Sequence, residues 1–315
     1  MKKPTSKDVA KLAGVSQSTV SFVLNNKNDV SISPETRTKV FEAAKKLNYV
    51  PNIFGKGLRT NRSMILGLMI PTITNPYYPM LTQQIEEYAS NEGYNIILCN
   101  TYRNKDKEEF YLNLLLEKAV DGIIYGFTPN FSELLNKISK TVPIVIIGEK
   151  DDSVNISTVG LNSFRAGEMT VQHLIELGHK KIAFITSPLT NISLSRERRL
   201  KGIISKLKEY HLDKNLIVKA YTSEYEITDS TYEIEIGYEL AIDLIKETDV
   251  TAIIGVNDMV AFGAMNAILN QGLKIPDDIS ICGFDNIYLS RLIKPKMTTI
   301  DHHITHRSKL AFDLL

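Results

Sequence analysis

Three observations predict a three-helix, helix-turn-helix head followed by a two-lobed α/β body with parallel sheets. The first 62 residues carry short helical patterns and twelve Lys and Arg against four Asp and Glu, a net +8, whereas the other 253 carry −7. From Ile65 onward short apolar strands alternate with longer amphipathic helices. A strand, a loop and a helix at 65–91 recur at 182–210, which predicts two similar lobes with a boundary near 160. The 315 residues, at roughly 150 per domain, fit two units plus a small module.

In the head, Val9, Ala10, Leu12 and Ala13 place an apolar stripe on a short helix, and Gly14 permits the sharp turn after it. Ser16 is the expected N-cap of a second short helix, whose apolar face is Val20, Val23 and Leu24. Ser33 as N-cap and Pro34 at the first helical position open a third, with Val40, Phe41, Ala44 and Leu47 facing the core. Two short helices joined by a glycine turn suit a module whose second helix enters the major groove. Its remaining face offers Gln17, Ser18, Ser21 and Phe22: Gln17 to pair with adenine, a serine to bond a base or phosphate, Phe22 to meet a thymine methyl. The plainer alternatives are solvated first-turn residues for Gln17 and Ser18 and a core aromatic for Phe22. A basic head on an acidic body marks the head as the part that meets a polyanion. The segment NIFGKGLRTNRS then reads either as a linker or as a short helix that orders when two copies meet on DNA.

Strands are predicted at 64–70, 94–99, 121–126, 143–148, 182–186, 252–256 and 279–284, and helices at about 77–91, 106–117, 163–176, 197–210, 233–246 and 258–270. Open α/β sheets bind ligands at the carboxyl ends of their strands. The loops there carry Asn75, Tyr77, Tyr78, Glu149, Arg199, Asn257, Asp258, Asp285 and Asn286. Carboxylate, guanidinium, amide and aromatic groups together suit a polyhydroxyl ligand, which needs bidentate bonds to vicinal hydroxyls and a stacking surface. The plainer alternatives are a helix N-cap for Asp258, a cap or turn before Pro76 for Asn75, an ordinary helix residue for Arg199, and a solvated loop carboxylate for Asp285.

Motifs for chemistry are missing: no G-x-G-x-x-G follows a strand, and no G-x-x-x-x-G-K-S/T, G-x-S-x-G or H-E-x-x-H occurs. The His302–His303 pair, with only Asp301 near it, is a poor metal set. Cys99 and Cys282 fall in predicted strands as free buried thiols. The expectation is a non-enzyme without cofactor or metal. With no apolar run long enough to span a bilayer and no signal-peptide core, a cytoplasmic location is expected.

The stretches DVAKLAGVSQSTVSFVLN, VSISPETRTKVFEAAKKLNYVPN, NPYYPML, DGII, HLIELGHKKIAFI, VNDMVAFGAMNAI and KIPDDISICGFDN closely resemble the LacI/GalR family of bacterial transcriptional regulators, along essentially the whole chain. The resemblance implies a homodimer whose heads bind a pseudopalindromic operator, and a periplasmic-binding-protein-like body that senses a small molecule. It implies a head over 1–50, a hinge over 51–61, an amino-terminal lobe over 62–160 and 288–315, and a carboxyl-terminal lobe over 161–287. It places Gln17 and Ser18 where the family reads bases and Thr19 where it touches the backbone, with Thr5, Ser16, Asn25 and Asn52 completing the DNA-facing set. Phe22 stands where the family usually has arginine, which implies an altered half-site. Leu58 matches the leucine wedged into the central minor groove. Gly55 and Gly57 should each cost a hinge helix about 1 kcal/mol against alanine. In the body it assigns Arg199, Asn257 and Asp285 to the effector, with Asn75, Tyr77, Tyr78 and Glu149 beside them, and Asn162 replaces a usual aspartate. Family members continue past TTI at 298–300 through a helix and a further strand, so the core of the amino-terminal lobe is expected to be incomplete here.

The leading expectation is a repressor of carbohydrate-metabolism genes released by a sugar-like effector. The alternatives are a regulator activated by a corepressor or protein partner, and a sugar-binding protein or enzyme on the same scaffold.

Overall fold

The computed structural model describes residues 4–24, 30–49, 62–188, 193–221 and 230–315. The chain divides into two compact units, Met1–Ser63 and Met64–Leu315. The hinge segment with Gly55, Gly57 and Leu58, and the DNA-facing candidates Asn25 and Asn52, lie outside the described residues.

Three helices build the head: α1 (Ser6–Ala13), α2 (Gln17–Leu24) and α3 (Pro34–Lys46). Thr5 and Asp8 form a reciprocal capping box that satisfies the first free N–H groups of α1. Gly14 ends that helix in the left-handed region at φ 67°, where a residue with Cβ is disfavoured. The Oγ of Ser16 accepts from Thr19 N at 3.1 Å and so caps α2, and Ser33 does the same for α3 with Pro34 behind it. Val9, Ala10, Val20, Val23, Val40, Ala43 and Ala44 close a small core. Two predicted core residues do not join it: Leu12 is 46% and Phe41 48% exposed. Each sits about 100° around its helix from a core position, Ala13 or Val40, and three short helices bury only a narrow stripe.

The body holds two five-stranded sheets, all parallel. The first runs in the order β2 (Asn95–Asn100), β1 (Ile65–Ile70), β3 (Gly122–Tyr125), β4 (Ile144–Gly148), β5 (Ser157–Gly160). The second runs β10 (Thr298–Ile300), β9 (Ser280–Phe284), β8 (Ala252–Gly255), β6 (Ile182–Thr186), β7 (Leu216–Ala220). Central strands β1, β3, β4, β6, β8 and β9 are almost wholly buried, as helices on both faces of a parallel sheet require. The crossover helices are α4 (Tyr77–Asn91), α5 (Lys105–Glu117), α6 (Ser132–Ile138), α7 (Ser163–Glu176), α8 (Leu194–Glu209), α9 (Tyr232–Glu247) and α10 (Asp258–Asn270), followed by α11 (Tyr288–Leu292) and α12 (Ile304–Leu314).

The predicted fold class is the observed one. Sequence reading passed over β5, β7 and β10, which are sheet edges with few or no fully buried residues and a weak apolar signal. One boundary needs correction. Residues 288–297 were expected to open the return to the amino-terminal lobe, but β10 pairs in register with β9, Thr298 opposite Cys282, so the chain stays with the second sheet to Ile300. It crosses back only at 301–303, after which α12 packs on α4, β4 and β5. Among the described residues no helix is long and apolar enough to cross a membrane.

Candidate effector cavity and DNA-reading helix

In each sheet the strand order reverses beside one strand: β2 and β3 flank β1, and β7 and β8 flank β6. Loops leaving the carboxyl ends of such strands diverge and leave a crevice. Here the loops after β1, β3, β6 and β8 meet around a cavity of about 340 Å³ between the two sheets. Asn75, Tyr77, Tyr78, Arg199, Asn257 and Asp285, all chosen from the sequence, line it.

Local structure explains how each is aimed. Asn75 accepts from Tyr77 N through Oδ1 at 3.0 Å, which turns the chain into α4 and sets Tyr77 and Tyr78 edge to face at 5.1 Å. Arg199 lies on α8, which lies against α7 because Gly202 lacks a side chain: a Cβ there would meet the Phe164 carbonyl oxygen at 2.0 Å. Asn257 is the N-cap of α10, accepting from Val260 N at 2.9 Å. Asp258, read from sequence as that cap, is instead the first residue of the helix and is buried. Its carboxylate accepts from Ile287 N, Ser290 Oγ and Thr299 Oγ1 at 3.0, 2.6 and 2.5 Å, so it anchors the chain that follows Asp285.

At the floor of the cavity sits a buried cation with four neighbours. Arg199 donates to the Val256 carbonyl and to His302 Nε2 at 3.0 Å, stands 3.7 Å from Asp285 Oδ1, and lies over the Phe284 ring at 4.5 Å. Burial drives the His302 imidazole well below its ordinary pKa, with the Arg199 charge pushing the same way, so a neutral ring accepts a hydrogen bond from the guanidinium. Burial lifts the Asp285 carboxyl to about 6, opposed first by Arg199 and then by a bond from Asn75. Asp258 is also raised, by burial and then by the charge of Asp285. The cavity therefore presents a carboxylate acceptor and a guanidinium donor side by side, flanked by aromatic rings.

The structure also places residues that sequence reasoning missed. Glu233, in the first turn of α9, accepts from Asn75 Nδ2 at 2.9 Å and Asn257 Nδ2 at 2.8 Å, joining an amide from each lobe. His302 lines the cavity, although its sequence context suggested only a poor metal site. Arg103 lines it too and donates to Tyr78 OH at 3.4 Å. No local pattern marks these three, because each reaches the site only through the crossing of loops distant in sequence.

Glu149 departs from its expected place. It is buried at the junction of the lobes and does not line the main cavity. It accepts from Ser163 N at 2.7 Å and Arg198 Nη1 at 2.8 Å, and borders a second, open groove. Burial alone would raise its pKa, but those bonds outweigh it and hold the carboxylate below its usual value. Asn162 takes the left-handed conformation at φ 52° and caps α7 through Arg165 N, a role that needs no charge.

On the head, Ser16, Gln17, Ser18 and Ser21 are exposed along α2, Thr19 and Phe22 are half-buried, and Thr5 is engaged in its capping box. Gln17 Nε2 donates to Ser6 Oγ at 3.3 Å, which ties the two helices of the motif. The Ser16 and Thr19 hydroxyls lie 2.9 Å apart.

A helix-turn-helix unit with an exposed polar second helix, carried on one chain with a two-sheet unit that has a polar cavity at its switch points, defines a ligand-responsive DNA-binding regulator. The comparisons with known proteins agree. The family described as "Bacterial regulatory proteins, lacI family" matches residues 5–52, and "Periplasmic binding proteins and sugar binding domain of LacI family" matches 63–313. The chain is 35% identical over 315 residues to the HTH-type transcriptional repressor PurR of Mannheimia succiniciproducens, covering 99% of this chain and 90% of that one. The crystal structure of the Lac repressor dimer bound to operator and the anti-inducer ONPF superposes with a TM-score of 0.81 at 26% identity, covering 99% and 91%. A periplasmic binding protein/LacI transcriptional regulator from Alkaliphilus metalliredigens complexed with D-xylulofuranose superposes with a TM-score of 0.69 at 29% identity, over 80% of this chain and 89% of that one. The chain belongs to the LacI family of bacterial regulatory proteins: a DNA-binding transcriptional repressor with an effector-binding domain.

Proposed function

We propose that the protein is a cytoplasmic homodimer that represses carbohydrate-metabolism genes at a pseudopalindromic operator and is released when a sugar-like effector fills the cavity. The observation that carries this reading is the Arg199–Asp285 pair at the cavity floor, 3.7 Å apart and each under 10% exposed. A carboxylate and a guanidinium fixed at this spacing accept from one hydroxyl of a vicinal diol and donate to the next, while Tyr77 and Tyr78 supply an apolar wall. The xylulofuranose complex of the Alkaliphilus relative and the operator-bound dimer of the Lac repressor support the ligand class and the assembly. In this reading Gln17, Ser18, Ser21 and Phe22 face bases, Thr5, Ser16 and Thr19 the phosphate backbone, and Leu58 the minor groove.

Closure of the lobes shifts operator affinity only as far as the effector prefers one arrangement to the other. The test is selection of an operator from randomised duplexes, followed by titration of the complex with pentoses, hexoses and nucleobases. A sugar that binds in calorimetry and weakens operator binding, with both effects lost in Asp285→Ala, supports the proposal. A nucleobase as the ligand, or an effector that tightens operator binding, overturns the inducible sugar reading in favour of a corepressor.

A further inference from the structure

Among the described residues the chain passes between the lobes twice, from β5 to α7 through 161–162 and from β10 to α12 through 301–303. Both passages are built alike. Each ends on a non-glycine residue in the left-handed region at φ 52°, Asn162 or His303, and each of these stands at the N-cap of the next helix. A residue held there costs about 1 kcal/mol or more and persists only where its surroundings determine it.

One side chain touches both passages. Arg307, one turn into α12, donates through Nε to the His302 carbonyl at 2.5 Å, through Nη1 to the Gly160 carbonyl, and through Nη2 toward the Leu161 carbonyl at 3.5 Å. Residues 160 and 302 are 142 positions apart, and a planar guanidinium spans them with a geometry an ammonium does not reproduce. The passage at 302 also leads straight to the cavity, since the His302 ring accepts from Arg199 and stands edge-on to Tyr77 at 6.0 Å.

We propose that Arg307 is the hinge clamp of this regulator: a positioning residue that fastens the two interlobe passages to each other and transmits the setting of His302 at the cavity to the Gly160 and Leu161 carbonyls that precede α7. Reorientation of the lobes then requires both passages to turn together about one guanidinium. Torsion in one alone breaks the fork. This deepens the reading of a lobe-closing sensor, and it is tested without any effector, so its failure would leave the ligand assignment standing.

The experiment is hydrogen–deuterium exchange on the ligand-free full-length chain and on Arg307→Met and Arg307→Lys, with thermal melting alongside. The methionine keeps the side-chain stem and removes all three donors. It should speed amide exchange at 161–164 and 303–306 by at least about tenfold, the loss of a charge-assisted hydrogen bond, while the central strands 182–186 and 252–255 stay protected. The lysine keeps the charge and one donor direction, folds in the same packing, and should fall between the two. Unchanged exchange at both passages overturns the proposal. So does acceleration at one passage only, or an equal rise through both sheets, because either shows that Arg307 does not couple them. If the methionine variant does not fold, the lysine variant decides by the same criteria.

Discussion

Replacing Arg199 with methionine tests whether Asp285 is held at the cavity floor as a carboxylate. Methionine keeps the length and helix preference of the site but removes the cation 3.7 Å from Asp285 Oδ1, the donor to Val256 and the donor to His302. Breaking one side of a buried pair generally costs about 3–5 kcal/mol, because the remaining charge stays buried. The cost depends on pH in a defined direction. Asp285 already has its pKa raised to about 6, against an ordinary value near 3.8, and Arg199 is the first of the charges opposing that rise. In the variant the carboxyl therefore rises further, so between about pH 4 and that raised folded pKa the folded chain holds a proton that the unfolded chain has released. The variant should lose stability as pH increases through that window, by up to about 1.4 kcal/mol per unit, and over a wider window than the parent. Urea unfolding followed by circular dichroism at pH 5.5 and pH 8 should show the larger destabilisation at pH 8. Adding Asp285→Asn should recover part of the loss, so that the double variant costs less than the two single variants combined. A pH-independent loss together with strict additivity would refute an electrostatic pair here and leave Arg199 a packing residue.

Two further outcomes follow from the same geometry. Ser16→Ala removes the bond from Thr19 N that starts α2, at a cost of about 1 kcal/mol, so operator affinity should fall roughly fivefold while the melting of the body is unchanged; equal affinity for parent and variant would show that α2 is set by packing alone. The Asp285 carboxyl is raised to about 6, and in the proposed function its ionised form accepts a ligand hydroxyl, so sugar affinity measured by calorimetry should be level above about pH 7. It should then weaken by up to about tenfold per unit below 6, whereas a flat profile from pH 5 to 8 would exclude that carboxylate as the acceptor.

The sequence by itself determined the class of fold and six residues of the cavity lining. Period-two and period-3.6 patterns depend only on near neighbours, so the central strands and the long helices are legible from spacing, and α4, α7 and α10 occupy the predicted spans. Asn75, Arg199, Asn257 and Asp285 are legible because each sits just beyond a strand or in the first turns of the helix that follows one, where α/β sheets place their ligands. The head is legible for the same local reason, through the caps of Ser16 and Ser33 and the turn at Gly14.

What only the tertiary structure decided is how distant segments meet. Glu149 reads in sequence as a loop residue of the effector site, and Glu233, His302 and Arg307 as ordinary polar residues. The structure makes the first a lobe junction, the second a bridge between two amides, the third the acceptor for Arg199, and the fourth a fork over both passages. The return of the chain to the first lobe at 301–303, rather than at 288, is of the same kind. A three-residue strand such as β10 has no periodicity of its own and is defined only by the hydrogen bonds that its partner β9 offers. Local periodicity records which face of an element is buried, whereas a polar contact between residues about 100 positions apart is specified by the packing of everything between them.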